Sequence, residues 1–337
     1  MDPITQFALG AVAAQAVVGP KLGHRAWLVG GLAGAAADLD IFLRSASDPL
    51  FAIEMHRQFT HSLAFIPVGG ALAGLPWLLA KTARAAWKPL LVASIAGYAT
   101  HGLLDACTTY GTQLLWPFSN ARISWDNVAI VDPLYTLTLI AGVVWAARRR
   151  SVLPARLAFG LGLAYLGFGV VQHQRALDAQ AAIAAARGHV IERGAAFPGL
   201  GNNLVWRSLY RVGDSYYADR IRVNWAGQAS WQAGATMRAV DPARFATAPA
   251  RIRRDYARFA HFADQWVAHD PEFPGVVADA RYSLSNQEFA PIWGVRFDAA
   301  QAVPTTWVNR TRDRRLQLAE LWRELAGQAA GYVPLPR

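Results

Sequence analysis

Six apolar segments fill the first half of this chain, and no other feature restricts its fold so strongly. They run over about 4–18, 26–43, 62–80, 89–107, 131–147 and 155–172. A helix needs ~20 residues to cross a bilayer, with a usable range of ~17–25, so the short first segment reads as tilted or re-entrant. Small residues are dense throughout, as in Gly30-Gly31-Leu32-Ala33-Gly34-Ala35-Ala36-Ala37, and they let membrane helices approach closely. Residues 1–172 hold 8 acidic and 12 basic side chains, whereas 173–337 hold 15 and 21. The expected fold class is therefore mainly α: a polytopic α-helical membrane domain over 1–172, then a small extramembrane α+β domain over 173–337.

Loop charge gives this arrangement an expected orientation. Lys21 and Arg25, then Lys81, Arg84 and Lys88, then Arg148, Arg149, Arg150 and Arg156 fall in alternate connections. The positive-inside rule places those connections in the cytoplasm, and by parity 44–61, 108–130 and 173–337 face outward. The start, Met1-Asp2-Pro3, lacks the basic region of a cleavable signal peptide. A formal charge of +10 raises the question of nucleic acid. Both halves are positive, acids are interspersed, and only Lys21, Lys81 and Lys88 of the 33 basic residues are lysines, so no nucleic-acid partner is expected. The single Cys107 excludes an internal disulfide.

In the second half, Gln174–Arg187 has the pattern of an amphipathic helix. Period-two alternation over 204–212 and 215–223 predicts half-buried strands. Helices are expected over 251–268 and 312–326, and strands over Ala280–Ser285 and Pro291–Phe297.

Ionisable groups inside apolar segments cost free energy and mark functional sites. His101 and Asp105 are spaced i, i+4 and share a helix face, which suits a divalent metal; the alternative is a histidine bonded to a neighbouring helix and an aspartate capping the segment. Asp38 and Asp40 end the second segment, where one carboxylate ligates and the other caps or orients, unless both mark a solvated helix end. His56-Arg57-Gln58-Phe59-Thr60-His61-Ser62 leads into the third. There Thr60 is a candidate N-cap, and Arg57 suits an anionic oxygen or a lipid headgroup. Asp126 and Asp132 precede the fifth segment and are placed to complete or orient a metal shell. The aromatics Trp116, Phe118 and Trp125 fit an interfacial belt. On the expected topology all these groups face one leaflet.

Read in order, Met1-Asp2-Pro3-Ile4-Thr5, Asp38-Leu39-Asp40, His56-Arg57-x-x-Thr60-His61-Ser62, His101-Gly102-Leu103-Leu104-Asp105, Thr109-Tyr110-Gly111-Thr112 and Trp116-Pro117-Phe118 resemble the YdjM-like family of membrane-bound metal-dependent hydrolases. The likeness covers about 1–172. It implies a bacterial inner-membrane protein with a bound divalent metal and hydrolase activity, but no substrate. Where relatives have His after the opening Thr, this chain has Gln6, a poor ligand for zinc-like metals, so one ligand position is lost or filled by water. The His-x-x-x-Asp helix is also similar to ligand helices of zinc-dependent phospholipase C and nuclease folds.

The leading expectation is a hydrolase acting on an ester or phosphoester, small or lipid-linked, at the outer leaflet, with membrane lipids as its surroundings. Asp38, Asp40, His61, His101 and Asp105 are the expected ligands of one or two divalent ions, zinc foremost, with manganese or magnesium also compatible. His56 is the expected proton donor or acceptor, Arg57 the holder of an anionic substrate, and Asp126 an orienting carboxylate. Two other readings stay open: a transporter or proton relay, and a non-enzymatic scaffold displaying 173–337.

Overall fold

The computed structural model describes residues 1–283, 289–310 and 318–335. The chain divides into two compact units. One comprises Met1–Leu43, Met55–Val170 and Leu200–Asn202, and the other Arg44–Glu54, Val171–Gly199 and Asn203–Arg337.

In the first unit, α1 (Pro3–Leu22) begins at Asp2, whose carboxylate accepts from the Ile4 and Thr5 amides, with Pro3 in the first helical position. Next come α2 (Ala26–Ala36) and a 3₁₀ turn over Ala37–Phe42. After the short α3 (Phe51–Met55), which up to Glu54 belongs to the second unit, 3₁₀ turns at Phe59–His61 and Leu63–Phe65 lead into α4 (Ile66–Gly74). A further 3₁₀ stretch at Leu75–Leu79 and α5 (Lys81–Arg84) precede α6 (Trp87–Ala106), α7 (Pro133–Arg149) and α8 (Leu153–Ala186). Helices α1, α2 and α6 pack against one another. A Cβ on Gly97 would lie 2.1 Å from the Gly30 carbonyl oxygen, so α2 and α6 meet backbone to backbone, as small residues allow. Met1, Leu9, Val12, Leu104, Tyr135 and Leu139 share one core.

The six-span expectation is not met. Among the described residues one helix, α8, is long and apolar enough to cross a membrane, or two spans result if the bent stretch Phe51–His61 with Leu63–Leu79 counts as one. Segments that read as continuous apolar runs are broken in the backbone. Helix α2 has 11 residues and α4 has 9, about 16 and 13 Å of rise against a ~30 Å hydrocarbon core. Helices α1 and α6 reach 20 residues but carry Gln6, Gln15, Pro20 and Lys21, or Lys88, Thr100, His101 and Asp105. The polytopic, multi-pass fold class is thereby overturned. The outward placement of 173–337, which depended on counting six crossings, loses its basis with it.

Helix α8 continues through the boundary expected at 172/173, close to the Val170/Val171 division of the two units. It runs unbroken for 34 residues from the sixth apolar segment through Gln174 to Ala186. Composition changes there; the backbone does not. Leu153, Leu157, Leu161 and Leu163 on its first part are about half exposed or more.

The second unit is α+β. Its first sheet has the order β1 (Arg193–Pro198), β2 (Val205–Val212), β3 (Ser215–Val223), β4 (Ala229–Gln232) and β10 (Val333–Pro334), with β5 (Thr236–Arg238) also paired to β3. The second has the order β6 (Val267–His269), β7 (Val276–Asp279), β8 (Trp293–Phe297) and β9 (Thr305–Asn309), all antiparallel. Alternation divides the first sheet as expected for strands. Trp206, Ile221 and Val223 meet Ala176, Ala179 and Ile183 of α8. Leu209, Tyr216 and Ala218 turn the other way, onto Trp266, Ala268 and Ala278. Helix α9 (Ala250–Phe262) stops short of the expected 268 because Asp264 and Gln265 take left-handed backbone conformations and the Gln265 amide bonds back to Ala260. Helix α10 (Leu318–Ala326) covers the described part of the last expected helix; residues 312–317 of that expectation, and 284–285 of an expected strand, lie outside the described residues.

Candidate metal centre

Three pieces of the first unit bring the ionisable residues together. Helix α6 presents His101 and Asp105, the 3₁₀ turn after α2 presents Asp38 and Asp40, and the turn Phe59–His61 presents His61. The last is set hard against α6: a Cβ on Gly102 would lie 2.1 Å from the His61 carbonyl oxygen. The Tyr98 hydroxyl donates to the Thr60 carbonyl at 2.7 Å, and the Leu63 amide to Leu114 at 2.9 Å.

Hydrogen bonding fixes which nitrogen each imidazole offers. The ring nitrogen Nδ1 of His101 contacts the Gly34 carbonyl, which can only accept, so Nδ1 carries the proton. The Thr60 hydroxyl donates to Asp40 Oδ2 at 2.7 Å and lies 2.9 Å from His61 Nδ1; its own proton being used, it accepts from that nitrogen. With Nδ1 so engaged, both rings turn Nε2 towards the carboxylates, where a neutral ring would offer its lone pair to a cation. His61 Nε2 lies 3.5 Å from Asp38 Oδ1 and 3.2 Å from Asp105 Oδ2, and His101 Nε2 lies 3.2 and 3.4 Å from the same two oxygens. These four ligand atoms lie within 4.8 Å of one another. His61 Nε2 and Asp105 Oδ2 are buried without a hydrogen-bond partner, an expensive state that a cation relieves. Two imidazole nitrogens and two carboxylate oxygens form a donor set suited to a divalent ion. The chain thus has acidic and imidazole groups positioned to hold a metal ion.

Asp38 also belongs to a second group with Asp40 and His56. Asp40 is heavily engaged: Oδ1 lies 2.7 Å from His56 Nδ1, and Oδ2 accepts from the Arg57 amide and the Thr60 hydroxyl. It orients His61 as a carboxylate behind a ligand histidine does. Burial pushes the Asp38 and Asp40 carboxyls upward, but the imidazoles of His101 and His61 beside the first, and of His56 and His61 beside the second, hold both well below the usual carboxylate range. The side chains of Asp38 and His56 are 21% and 23% exposed, against 0% for His61, His101 and Asp105, so the cluster opens on their side.

The remaining expected residues are placed otherwise. Arg57 is buried, with Nε 3.1 Å from Asp105 Oδ2 and Nη1 donating to the Thr108 hydroxyl at 2.9 Å. Its left-handed backbone is held by its own amide on Asp40 and by the Gln113 amide on its carbonyl. Asp126 receives the Ser124 hydroxyl at 3.3 Å and stands outside both groups. Asp132 caps α7 and accepts from the Tyr165 hydroxyl at 2.6 Å. Thr60 is no N-cap; Ser62 caps the following turn instead.

Sequence reasoning missed the role of Gln6. Its Nε2 donates to Asp105 Oδ1 at 2.9 Å and reaches the His101 carbonyl at 3.3 Å. Rather than only vacating a ligand position, Gln6 anchors the inner oxygen of Asp105 and leaves Oδ2 facing the histidines. The Met1 nitrogen contacts the same Oδ1. No spacing rule links position 6 to position 105, so only close packing of α1 on α6 exposes this contact.

A relative in Bacillus subtilis (strain 168), the uncharacterized protein YfhP, is 29% identical over 146 residues, which is 42% of this chain and 43% of that protein. The chain therefore spans less than half the length of that relative. No solved structure matches it significantly. The family model described as YdjM inner membrane protein matches residues 1–176, the stretch that holds every member of the cluster. With that match over more than half its length, the chain belongs to the YdjM inner membrane protein family.

Proposed function

We propose that this protein is a membrane-bound, metal-dependent hydrolase of the bacterial inner membrane, acting on an ester or phosphoester. The observation that carries the reading is the convergence of His61 Nε2, His101 Nε2, Asp38 Oδ1 and Asp105 Oδ2, two of them buried without a hydrogen bond. These residues would hold the ion, and zinc is the first choice for such a mixed nitrogen and oxygen set, with manganese or magnesium as alternatives. When bound, a divalent ion supplies Lewis-acid chemistry, polarising a scissile carbonyl or phosphoryl group and acidifying water.

The chain's own groups divide the remaining work. Asp40 holds His61 and His56 in place. His56, at the open rim with Nδ1 engaged by Asp40, keeps Nε2 for proton transfer. Arg57 and Gln6 position Asp105 from opposite oxygens, so Arg57 serves as a positioning residue. Asp126 takes no part in this reading. The substrate is a small molecule or a lipid-linked one, with membrane lipids as the surroundings.

Metal content per chain of the detergent-purified protein, measured by mass spectrometry alongside hydrolysis of nitrophenyl phosphomonoesters, phosphodiesters and acetate, tests the proposal. Near-stoichiometric metal and a rate above that of His101→Ala are expected. A folded, metal-free protein, or equal rates in the two forms under metal saturation, would overturn it.

A further inference from the structure

The second unit holds a cleft of about 510 Å³ lined by Arg211, Arg238, Arg244, His269, Asp214 and Asp241, none of which belongs to the metal cluster. Its floor is fixed backbone. Arg238 pairs with Ser215 on β3 and Ala239 bridges Ala268 on β6. The Ala239 amide donates to Asp214 at 2.8 Å and the Val240 amide to Val267 at 3.0 Å. This strip stitches the two sheets together, so side chains leaving it are held in a constant place.

Two cations of the cleft, Arg238 and Arg244, have no carboxylate paired to them among the described residues. Asp241 is committed to the turn that follows it, accepting the Ala243 amide at 2.8 Å. Arg211 is taken up, its Nε donating to the Gly213 carbonyl at 2.8 Å and lying 3.6 Å from the Glu192 carboxylate, whereas Arg238 and Arg244 line the cleft with no salt bridge among the described residues. Arg244 Nη1 lies 3.3 Å from His269 Nε2. A guanidinium has no lone pair to offer, so the imidazole accepts and is neutral, with Nδ1–H left as a donor. Partial burial and the charges of Arg244 and Arg238 also push the His269 pKa down. The two forks of Arg238 and Arg244, with the His269 Nδ1–H beside them, make a receptor for an oxyanion. The fork matches phosphate and carboxylate oxygens in pairs, and a terminal phosphate offers oxygens to both forks at once.

We propose that this cleft binds a phosphomonoester group, gripped by Arg238 and Arg244. The group's source is either a soluble phosphate compound or an anionic lipid headgroup. Calorimetric titration of the full chain in neutral detergent with inorganic phosphate provides the test, with dihexanoyl phosphatidic acid and glycerol 3-phosphate as competitors. Saturable binding that weakens with salt is expected, reduced at least tenfold in Arg238→Ala/Arg244→Ala. The Lys/Lys counterpart, which keeps charge but loses the fork, should fall between. Tighter displacement by the short-chain lipid assigns the site to headgroups, and tighter displacement by glycerol 3-phosphate assigns it to soluble esters. Both arginines are exposed, so an unchanged melting temperature certifies the variants. Absence of saturable phosphate binding, or equal binding in the double alanine variant, overturns the proposal. Neither result depends on metal at the first site.

Discussion

Gly102→Ala puts the construction of the metal cluster under direct strain. The added methyl would stand 2.1 Å from the His61 carbonyl oxygen and 3.0 Å from its carbon, with Leu114 Cδ2 at 3.3 Å. Ordinary contact begins at 3.4 Å, so the turn Phe59–His61 must retreat by about 1 Å or α6 must move. Overpacking of this kind costs ~1–3 kcal/mol, roughly 2–12 °C in melting temperature at ~2–4 °C per kcal/mol for a chain of this order. The functional loss should exceed the structural one. Metal ligands tolerate about ±0.2 Å, and a 1 Å shift carries His61 Nε2 outside that range. Gly160→Ala on α8 is the control, because a Cβ there meets nothing within 4 Å; it should be neutral or stabilise by up to ~1 kcal/mol. Metal per chain and thermal unfolding, measured on both variants, decide the matter. Full metal content and unchanged melting in Gly102→Ala would refute the claim that this close approach seats His61.

Other consequences concern the same cluster. The double variant His101→Ala/Asp105→Ala should bind no metal, read by metal analysis after dialysis; retention would mean that the ion sits elsewhere. Arg57→Met leaves the buried Asp105 without its guanidinium, a loss of about 3–5 kcal/mol for breaking a buried pair. That loss should shrink when zinc is saturating, since the ion then neutralises the carboxylate, so equal destabilisation with zinc and with chelator would count against the arrangement. Asp38 and Asp40 have folded pKa values depressed from an ordinary 3.8, so their contribution is fully present above that value and lost as pH falls below it. Melting temperature should therefore be insensitive to these groups between pH 5 and 7 and fall below about pH 4, and Asp40→Asn should flatten that acid limb.

How far the sequence could be read depends on the range of the interactions involved. The i, i+4 pair His101 and Asp105 is visible because helical periodicity is local, and the β2 and β3 strands are visible because alternation is local too. The span count was not. A hydropathy window sees side chains, whereas the 3₁₀ turns at Ala37–Phe42 and Leu75–Leu79 that interrupt the apolar runs are backbone events. The change of composition at 172/173 lies inside the continuous helix α8, close to the Val170/Val171 division of the two units.

At the centre itself, the sequence alone determined which residue types were available: two histidines, several aspartates and an arginine embedded in apolar surroundings, where burial makes each demand a partner. Tertiary structure alone decided the partners. It put Asp38 Oδ1 beside both Nε2 atoms, assigned Asp40 to orient His61, turned Arg57 inward onto Asp105, and brought Gln6 from α1 to the other oxygen of that carboxylate. These contacts join residues up to about a hundred positions apart. They are set by glycine-mediated approach of α2, α6 and the His61 turn, a distance no spacing in the chain records.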